Sequence, residues 1–255
     1  MLDAILAAKR EAVHRQKAIM PEQALIVPAR QQRFRLQKRL RENVWTLIAE
    51  CKLASPSKGV LDSGKSVPEL AAIYEQNGAG VLSVLTDRHF NGSLEHLQAV
   101  RKQTQLPLLR KDFILDRYQI VESAAAGADV VLLIAAALAR DEVETYLALA
   151  HSFGMDAIVE VHDKADLDKV VSLKPPIIGI NNRDLKTFKT DTEQTRRLLP
   201  FCPVDSLVIS ESGLFEQRQV EQLKAYGVRG CLAGESLVTA DDIGRKVRQL
   251  ALLEN

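Results

Sequence analysis

From residue 46 onward the sequence predicts an α/β fold, a closed (β/α)8 (TIM) barrel preceded by an N-terminal helical extension. Three observations carry that expectation. Short strand-type runs alternate with helical patterns eight times over about 205 of the 255 residues. The run Val130-Val131-Leu132-Leu133-Ile134 is apolar at every position, as expected of a parallel strand buried on both faces. No Gly-x-Gly-x-x-Gly follows the first run, which argues against the main alternative, an open doubly wound sheet. Eight consecutive units instead point to closure.

Residues 1–45 read as the extension and 46–255 as one catalytic barrel, with no linker after residue 46. In 2–18, Leu2, Ile5, Leu6 and Val13 recur at near-helical spacing with Lys9, Arg10, Arg15 and Lys17 between them, and Pro21 and Pro28 break the pattern. A second helical stretch, 30–42, sets Arg30, Arg33, Arg35, Lys38, Arg39 and Arg41 around Phe34, Leu36 and Leu40. These first 45 residues hold ten Lys/Arg against four Asp/Glu. They lack the aromatic interleaving or motif of a nucleic-acid arm. A basic helix that closes one barrel end, or lines the approach to an anionic substrate, is the expectation. Strands are expected near 46–52, 81–85, 107–111, 130–134, 156–161, 177–181, 207–211 and 230–233. Helices are expected near 67–77, 94–103, 117–126, 140–153, 164–173, 191–199, 215–226 and 240–253.

Composition narrows the class. Hydrophobic residues are 46% of the chain, enough for a large core, and the net charge of +1 gives no bias towards nucleic acid or membrane. Cys51, Cys202 and Cys231 have no metal-like spacing, and the five histidines are scattered, so no metal is expected. An odd number of cysteines suits a reduced, intracellular protein. The first residues are amphipathic rather than signal-like, and the longest apolar run, 130–139, is too short to span a bilayer. A cytoplasmic protein is expected.

Function is read from the strand ends, where a barrel of this kind keeps its active site. The first strand opens through Glu50-Cys51-Lys52 into Ser-Pro-Ser-Lys-Gly, which neither a helix nor a central strand can absorb. Side chains alternate along a strand, so Glu50 and Lys52 share the face of Ile48. By the same parity Lys111 goes with Leu109 and Glu160 with Ile158. If these faces look inward, two amines and two acids converge near the axis. Desolvating such charges costs several kcal/mol each unless they are paired, so stability alone would favour Val, Ile or Leu there. Ser212-Gly213 and Gly234-Glu235-Ser236 follow the last two strands, and glycine there lets backbone N–H groups approach an anion such as a phosphate, with Ser55 across the opening. Phe90, Phe113 and Leu132 are candidates for an apolar wall against an aromatic substrate. Cys51 and Cys231 read as core. His89 and His162 lie near the mouth, and with His162 taken as off the face of Glu160, both read as rim residues.

With these residues in view, the chain resembles the indole-3-glycerol phosphate synthase family over nearly its whole length. The resemblance rests on Glu50-x-Lys52-x-x-Ser55-Pro56-Ser57, Ser83-Val84-Leu85-Thr86, Leu109-Arg110-Lys111-Asp112-Phe113-Ile114, Gly179-Ile180-Asn181-Asn182-Arg183-Asp184-Leu185, Ser210-Glu211-Ser212-Gly213 and Ala233-Gly234-Glu235-Ser236-Leu237. It implies a cofactor-free lyase of tryptophan biosynthesis acting on a small phosphorylated substrate, 1-(2-carboxyphenylamino)-1-deoxyribulose 5-phosphate. No nucleic-acid or membrane partner is implied, and a monomer or weak homodimer is expected. Carried over by motif, the catalytic set is Glu50, Lys52, Lys111, Glu160, Asn181, Glu211 and Ser212. Ser55, Gly213, Gly234 and Glu235 would hold the phosphate, and Asn181 with Arg183 the anthranilate carboxylate. The chain departs from the family pattern at Leu53, where a basic or polar residue is common, at Arg117 and at Leu214, and none of these removes a reacting group. Two other readings stay open at this point: a related phosphate-binding isomerase or Schiff-base aldolase, and a non-catalytic binding module that uses the 1–45 arm.

Overall fold

The structure, a computed structural model, describes residues 2–55, 59–61, 63–184 and 189–254. Among the described residues, eight parallel strands close into a barrel: β1 Thr46–Cys51, β2 Val81–Leu85, β3 Leu108–Lys111, β4 Val130–Ile134, β5 Asp156–Val161, β6 Ile177–Asn181, β7 Leu207–Glu211 and β8 Gly230–Ala233. Each strand pairs with its neighbour in the chain, and β1 closes the ring on β8 in the register Thr46↔Gly230 to Ala49↔Ala233. Nearly every strand residue is buried, as the continuous apolar runs require.

Helices α3 Val67–Gln76, α4 Leu94–Gln103, α5 Arg117–Ala125, α6 Arg140–Ser152, α7 Lys164–Val170, α8 Glu193–Leu198 and α9 Gln217–Ala225 cover the outside. They are followed by the short α10 Glu235–Val238 and by α11 Ile243–Leu250. Several starts are set by side-chain caps: Asp116 accepts from Tyr118 N, Asp163 from Asp166 N and Asp242 from Arg245 N, each at 2.8 Å. Two short elements were not expected. Ala54–Ser55 and Gly59–Val60 pair antiparallel where only a loop was read, and α10 starts directly from the Gly234 turn.

The extension forms two helices with different destinations. Helix α2, Arg35–Glu42, buries Leu36 and Leu40 completely and closes the floor of the barrel, the end where the strands begin. Its start is capped from across the chain. Asp156, the first residue of β5, accepts from Leu36 N at 2.7 Å, Gln37 N at 3.3 Å and Gln37 Nε2 at 2.9 Å. The helix begins at Arg35 rather than near residue 30 because Phe34 adopts a left-handed conformation, with φ 53°. The other helix, α1 Leu2–Ile19, runs beside α5 and buries Ile5, Leu6 and Val13. Lys17 pairs with Asp116 at 2.6 Å, and Tyr118 OH donates to Met20 O at 2.9 Å. Ile5, Leu6, Leu36 and Leu40 belong to the same hydrophobic core as the barrel interior.

Much of the basic excess of the extension is spent on acids of the barrel. Arg30 and Arg35 both reach Asp129 at 3.0 Å, and Lys9 reaches Asp87 and Asp112. No described helix is long and apolar enough to cross a membrane.

Candidate active site

The carboxyl ends of the strands open into one pocket. Glu50 and Lys52 leave β1 on the same side and form an ion pair, Nζ to Oε1 3.2 Å. The Lys52 ammonium also stands 5.6 Å from the centre of the Phe90 ring, within cation–π range. Gly234 makes room for this pair, since a Cβ there would lie 2.6 Å from Glu50 Oε1.

Facing them, Lys111 at the end of β3 contacts Glu160 of β5 at 3.0 Å and Glu211 of β7 at 3.6 Å. The strand register builds this cluster. Glu160 lies level with Gly179 on β6, and Asn181 with Glu211. Gly179 leaves the space that the Glu211 carboxyl fills, since a Cβ there would come within 2.1 Å of Glu211 Oε1. Burial alone would lower the Lys111 pKa, but Glu160, Glu211 and Glu50 outweigh it and hold the ammonium above its usual value. Burial alone would raise Glu160, yet Lys111 and His162 hold it well below the carboxylate range. Glu211 is pushed up to about 8, first by burial and then by the Glu160 charge. Of the two acids beside Lys111, Glu160 is therefore the one favoured as an anion and Glu211 the one that holds a proton more tightly.

The remaining expected residues come to the same place. Asn181, Arg183, Ser212, Gly213 and Glu235 line the pocket, and Phe90, Phe113 and Leu132 form part of its apolar wall with Leu85 and Ile134. Arg183 Nη2 pairs with Glu235 Oε2 at 2.9 Å, and Arg183 N donates to Asn181 Oδ1 at 3.0 Å. Ser212 has φ 68°, a left-handed conformation uncommon for a residue with a side chain, and it turns the chain sharply at the pocket edge. The Ser55 side chain and Pro56-Ser57-Lys58 lie outside the described residues. Cys51 and Cys231 are buried core thiols. Among the described residues, no group of three or more His, Cys, Asp or Glu side chains is placed to hold a metal ion.

The expectation for His162 is overturned. Two positions from Glu160 is the same parity, not the opposite one, and the ring is 7% exposed behind Glu160. Sequence reasoning also missed the groups that brace the pocket from outside. Arg110, on the outward face of β3, is buried between Asp112 at 3.1 Å and Glu122 at 2.8 Å. Lys9 spans Asp87 at 2.6 Å and Asp112 at 2.7 Å, and both acids line the pocket. Asn182 donates to Ser212 O and Ser210 Oγ at 3.0 Å, tying the end of β6 to the Ser212 turn. Alternation along β3 sets Arg110 opposite to Lys111, but nothing local announces that Lys9 reaches the mouth.

Fold and pocket together define a (β/α)8-barrel enzyme whose amines and acids converge at the carboxyl ends of the strands. Among solved structures, the chain resembles thiamine phosphate pyrophosphorylase from Pyrococcus furiosus, with TM-score 0.62, 15% identity, and coverage of 86% of this chain and 96% of that one. It also resembles 3-hexulose-6-phosphate synthase from Salmonella typhimurium, with TM-score 0.62, 14% identity, and coverage of 82% and 97%. At such identities the likeness is one of fold. Sequence comparison goes further. The profile of the indole-3-glycerol phosphate synthase family matches residues 2–250. Indole-3-glycerol phosphate synthase of Alkaliphilus metalliredigens is 43% identical, covering 98% of this chain and 97% of its own length. That of Roseiflexus sp. is 45% identical, with coverage of 98% and 97%. The chain belongs to the indole-3-glycerol phosphate synthase family.

Proposed function

We propose that this chain converts 1-(2-carboxyphenylamino)-1-deoxyribulose 5-phosphate to indole-3-glycerol phosphate, carbon dioxide and water, as a carbon–carbon carboxy-lyase of tryptophan biosynthesis. The observation that carries the reading is the placing of Lys111 between Glu160 and Glu211, across one pocket from the Glu50–Lys52 pair.

The reaction forms a bond between an aryl carbon and the ribulose ketone carbon. A ketone is a weak electrophile, so its oxygen needs a proton as the bond forms. Lys111, kept charged by its carboxylate neighbours, donates it. Loss of the anthranilate carboxylate as carbon dioxide follows. A hydroxyl then leaves as water, taking its proton from Lys52. A carboxylate, Glu50 or Glu160, removes the remaining proton and restores aromaticity, and the pocket carboxylates stabilise the cationic intermediate. Asn181 and Arg183 orient the anthranilate carboxylate. The Ser212-Gly213 and Gly234-Glu235 turns, with Ser55, grip the phosphate, an end of the substrate that does not react. Binding energy gained there presses the reacting carbons together against the wall of Phe90, Phe113 and Leu132.

No cofactor enters this scheme. The reading includes a cytoplasmic monomer or weak homodimer, which suits the three free thiols. Adding the carboxyphenylamino-deoxyribulose phosphate and following indole absorbance and fluorescence tests the activity. Indole signal appearing with turnover supports the reading, and unchanged substrate overturns it.

A further inference from the structure

His162 sits outside the pocket lining, directly behind it. The two oxygens of Glu160 face opposite ways: Oε2 meets Lys111 Nζ at 3.0 Å, and Oε1 meets His162 Nε2 at 3.1 Å. On its far side the ring presents Nδ1 to Asp166 Oδ2, in the first turn of α7, at 3.4 Å. The result is a line of alternating groups, Asp166, His162, Glu160, Lys111, leading from the outer helix layer to the reacting amine. The backbone fixes the ring at both ends, since His162 N donates to Asp166 Oδ2 at 3.1 Å and Gln194 of α8 donates to His162 O at 2.8 Å.

Both ring nitrogens thus face carboxylate oxygens. A neutral imidazole has one N–H and one lone pair, so one of its two contacts would set a lone pair against an anion. Only the imidazolium presents an N–H to each side. The contacts are ion pairs rather than aligned hydrogen bonds, because neither ring nitrogen meets hydrogen-bond geometry. The charged groups around the ring are Glu160 on β5 and Asp166 on α7, with Lys111 and Glu211 beyond Glu160. Burial alone would lower the ring pKa, but Asp166 and Glu160 outweigh it and raise it to about 9.

We propose that His162 is a positioning residue for the reaction: as an imidazolium backed by Asp166, it holds the Glu160 carboxylate ionised and turned to Lys111, so that Lys111 remains the proton donor. The inference rests on Lys111 being that donor. With a buried cation on one oxygen, Glu160 stays an anion without drawing a proton from the pocket. The excess proton of the cluster then resides on Glu211, the acid with the raised pKa. The ring lies outside the pocket lining, so its effect passes entirely through Glu160.

Two measurements test this. The first needs no turnover: 15N shifts of the His162 ring in the whole protein, assigned by comparison with His162→Gln, are expected to show both nitrogens protonated at pH 7. A neutral ring at that pH overturns the proposal and leaves the activity itself untouched. The second is the pH profile of His162→Gln and of Asp166→Asn, with thermal unfolding to verify the fold. His162→Gln keeps a polar group of similar reach but cannot carry charge. Its turnover is expected to fall about 10-fold with KM within about twofold of wild type. Its acidic limb in kcat/KM is expected to move up by about one pH unit, because a carboxylate that loses a nearby cation protonates more readily. Asp166→Asn is expected to move the limb in the same direction by less. A Gln variant whose profile superimposes on wild type overturns the proposal, as does one that changes only KM.

Discussion

At the floor of the barrel, Asp129 accepts from Arg30, Arg35, Arg101 and Leu108 N, all between 2.9 and 3.0 Å. At the mouth, Glu211 is fully buried, yet neither of its oxygens accepts a hydrogen bond from a described donor, and the Lys111 ammonium stands 3.6 Å off. Both are buried carboxylates near strand termini, and burial alone does not separate them. Saturation does. Asp129 and Asp156 have used their lone pairs on donors that the fold itself brings, and they hold α2 against the strands. Glu211 keeps acceptor capacity in reserve. A buried acid left under-satisfied costs stability, and its persistence points to work done on something that is not part of the chain. The count of fixed donors around a buried acid, rather than its depth, tells architecture from chemistry.

The sharpest way to break this comparison is to remove one charge from each end. Lys111→Ala is expected to lower turnover ~10²–10⁴-fold with a modest change in KM, the size of effect typical of a lost acid–base group. Steady-state kinetics decides, and wild-type turnover in the variant removes Lys111 from the chemistry. Asp129→Ala is expected to do the opposite. It removes the carboxylate that three guanidinium groups share and leaves each with only backbone carbonyl partners, so unfolding in denaturant should show a loss of about 3 kcal/mol. Turnover per folded molecule should stay near wild type. If Asp129→Ala instead lowers turnover as Lys111→Ala does, the two ends do not divide as described.

How far this division could be read without coordinates follows from the same physics. The strands were legible because parallel strands buried on both faces must be apolar throughout, and the observed limits fall within a residue of those expected. Parity along the strands brought Glu50, Lys52, Lys111 and Glu160 to one side, and the structure lines the pocket with all four. Asn181, Glu211 and Ser212 came from the family motifs, because single residues at strand ends carry no periodic signal. The pairing of 54–55 with 59–60 was hidden by Ser-Pro-Ser-Lys-Gly, which has the composition of a loop. The start of α2 was misplaced because a left-handed Phe34 and a cap supplied by Asp156, over a hundred residues away, decide it. The partners of Lys9 were invisible for the same reason: a contact between the first helix and the ends of β2 and β3 has no local signature.

Glu211 sharpens the comparison through pH. Its pKa in the folded protein is about 8 against an ordinary 4.5, so the folded state binds this proton more tightly than the unfolded chain. The stability it contributes is complete below about pH 4.5 and is lost as pH rises through about 8. Glu211→Gln keeps the shape and removes the titration. The variant is expected to lose activity, yet at pH 9 it should exceed wild type in stability by on the order of 1–3 kcal/mol, the cost of a buried unsatisfied group. The gain should shrink as pH falls towards 5. Thermal unfolding across this range is the measurement, and parallel curves for the two proteins would show that Glu211 is not held protonated by the fold.

Lys9 is the informative exception, because it follows the logic of the floor while standing at the mouth. Its side chain is 11% exposed, and its ammonium spans Asp87 and Asp112 at 2.6 and 2.7 Å. Both acids have other donors. Asp87 accepts from His89 N at 2.8 Å, while Asp112 accepts from Thr86 Oγ1 at 2.6 Å and from Arg110 at 3.1 Å. This is a saturated bridge that pins α1 to the loops after β2 and β3. If saturation is what matters, Lys9→Met should behave as a structural change although both of its partners line the pocket. It should cost about 1–2 kcal/mol, since each carboxylate keeps its remaining partners. Turnover should fall by no more than about threefold, because the reacting groups keep their contacts with one another. Chemical unfolding and steady-state kinetics on the same preparation separate the two effects. A large loss of turnover with unchanged stability would place Lys9 with the chemistry and show that location at the mouth, not saturation, is the better guide.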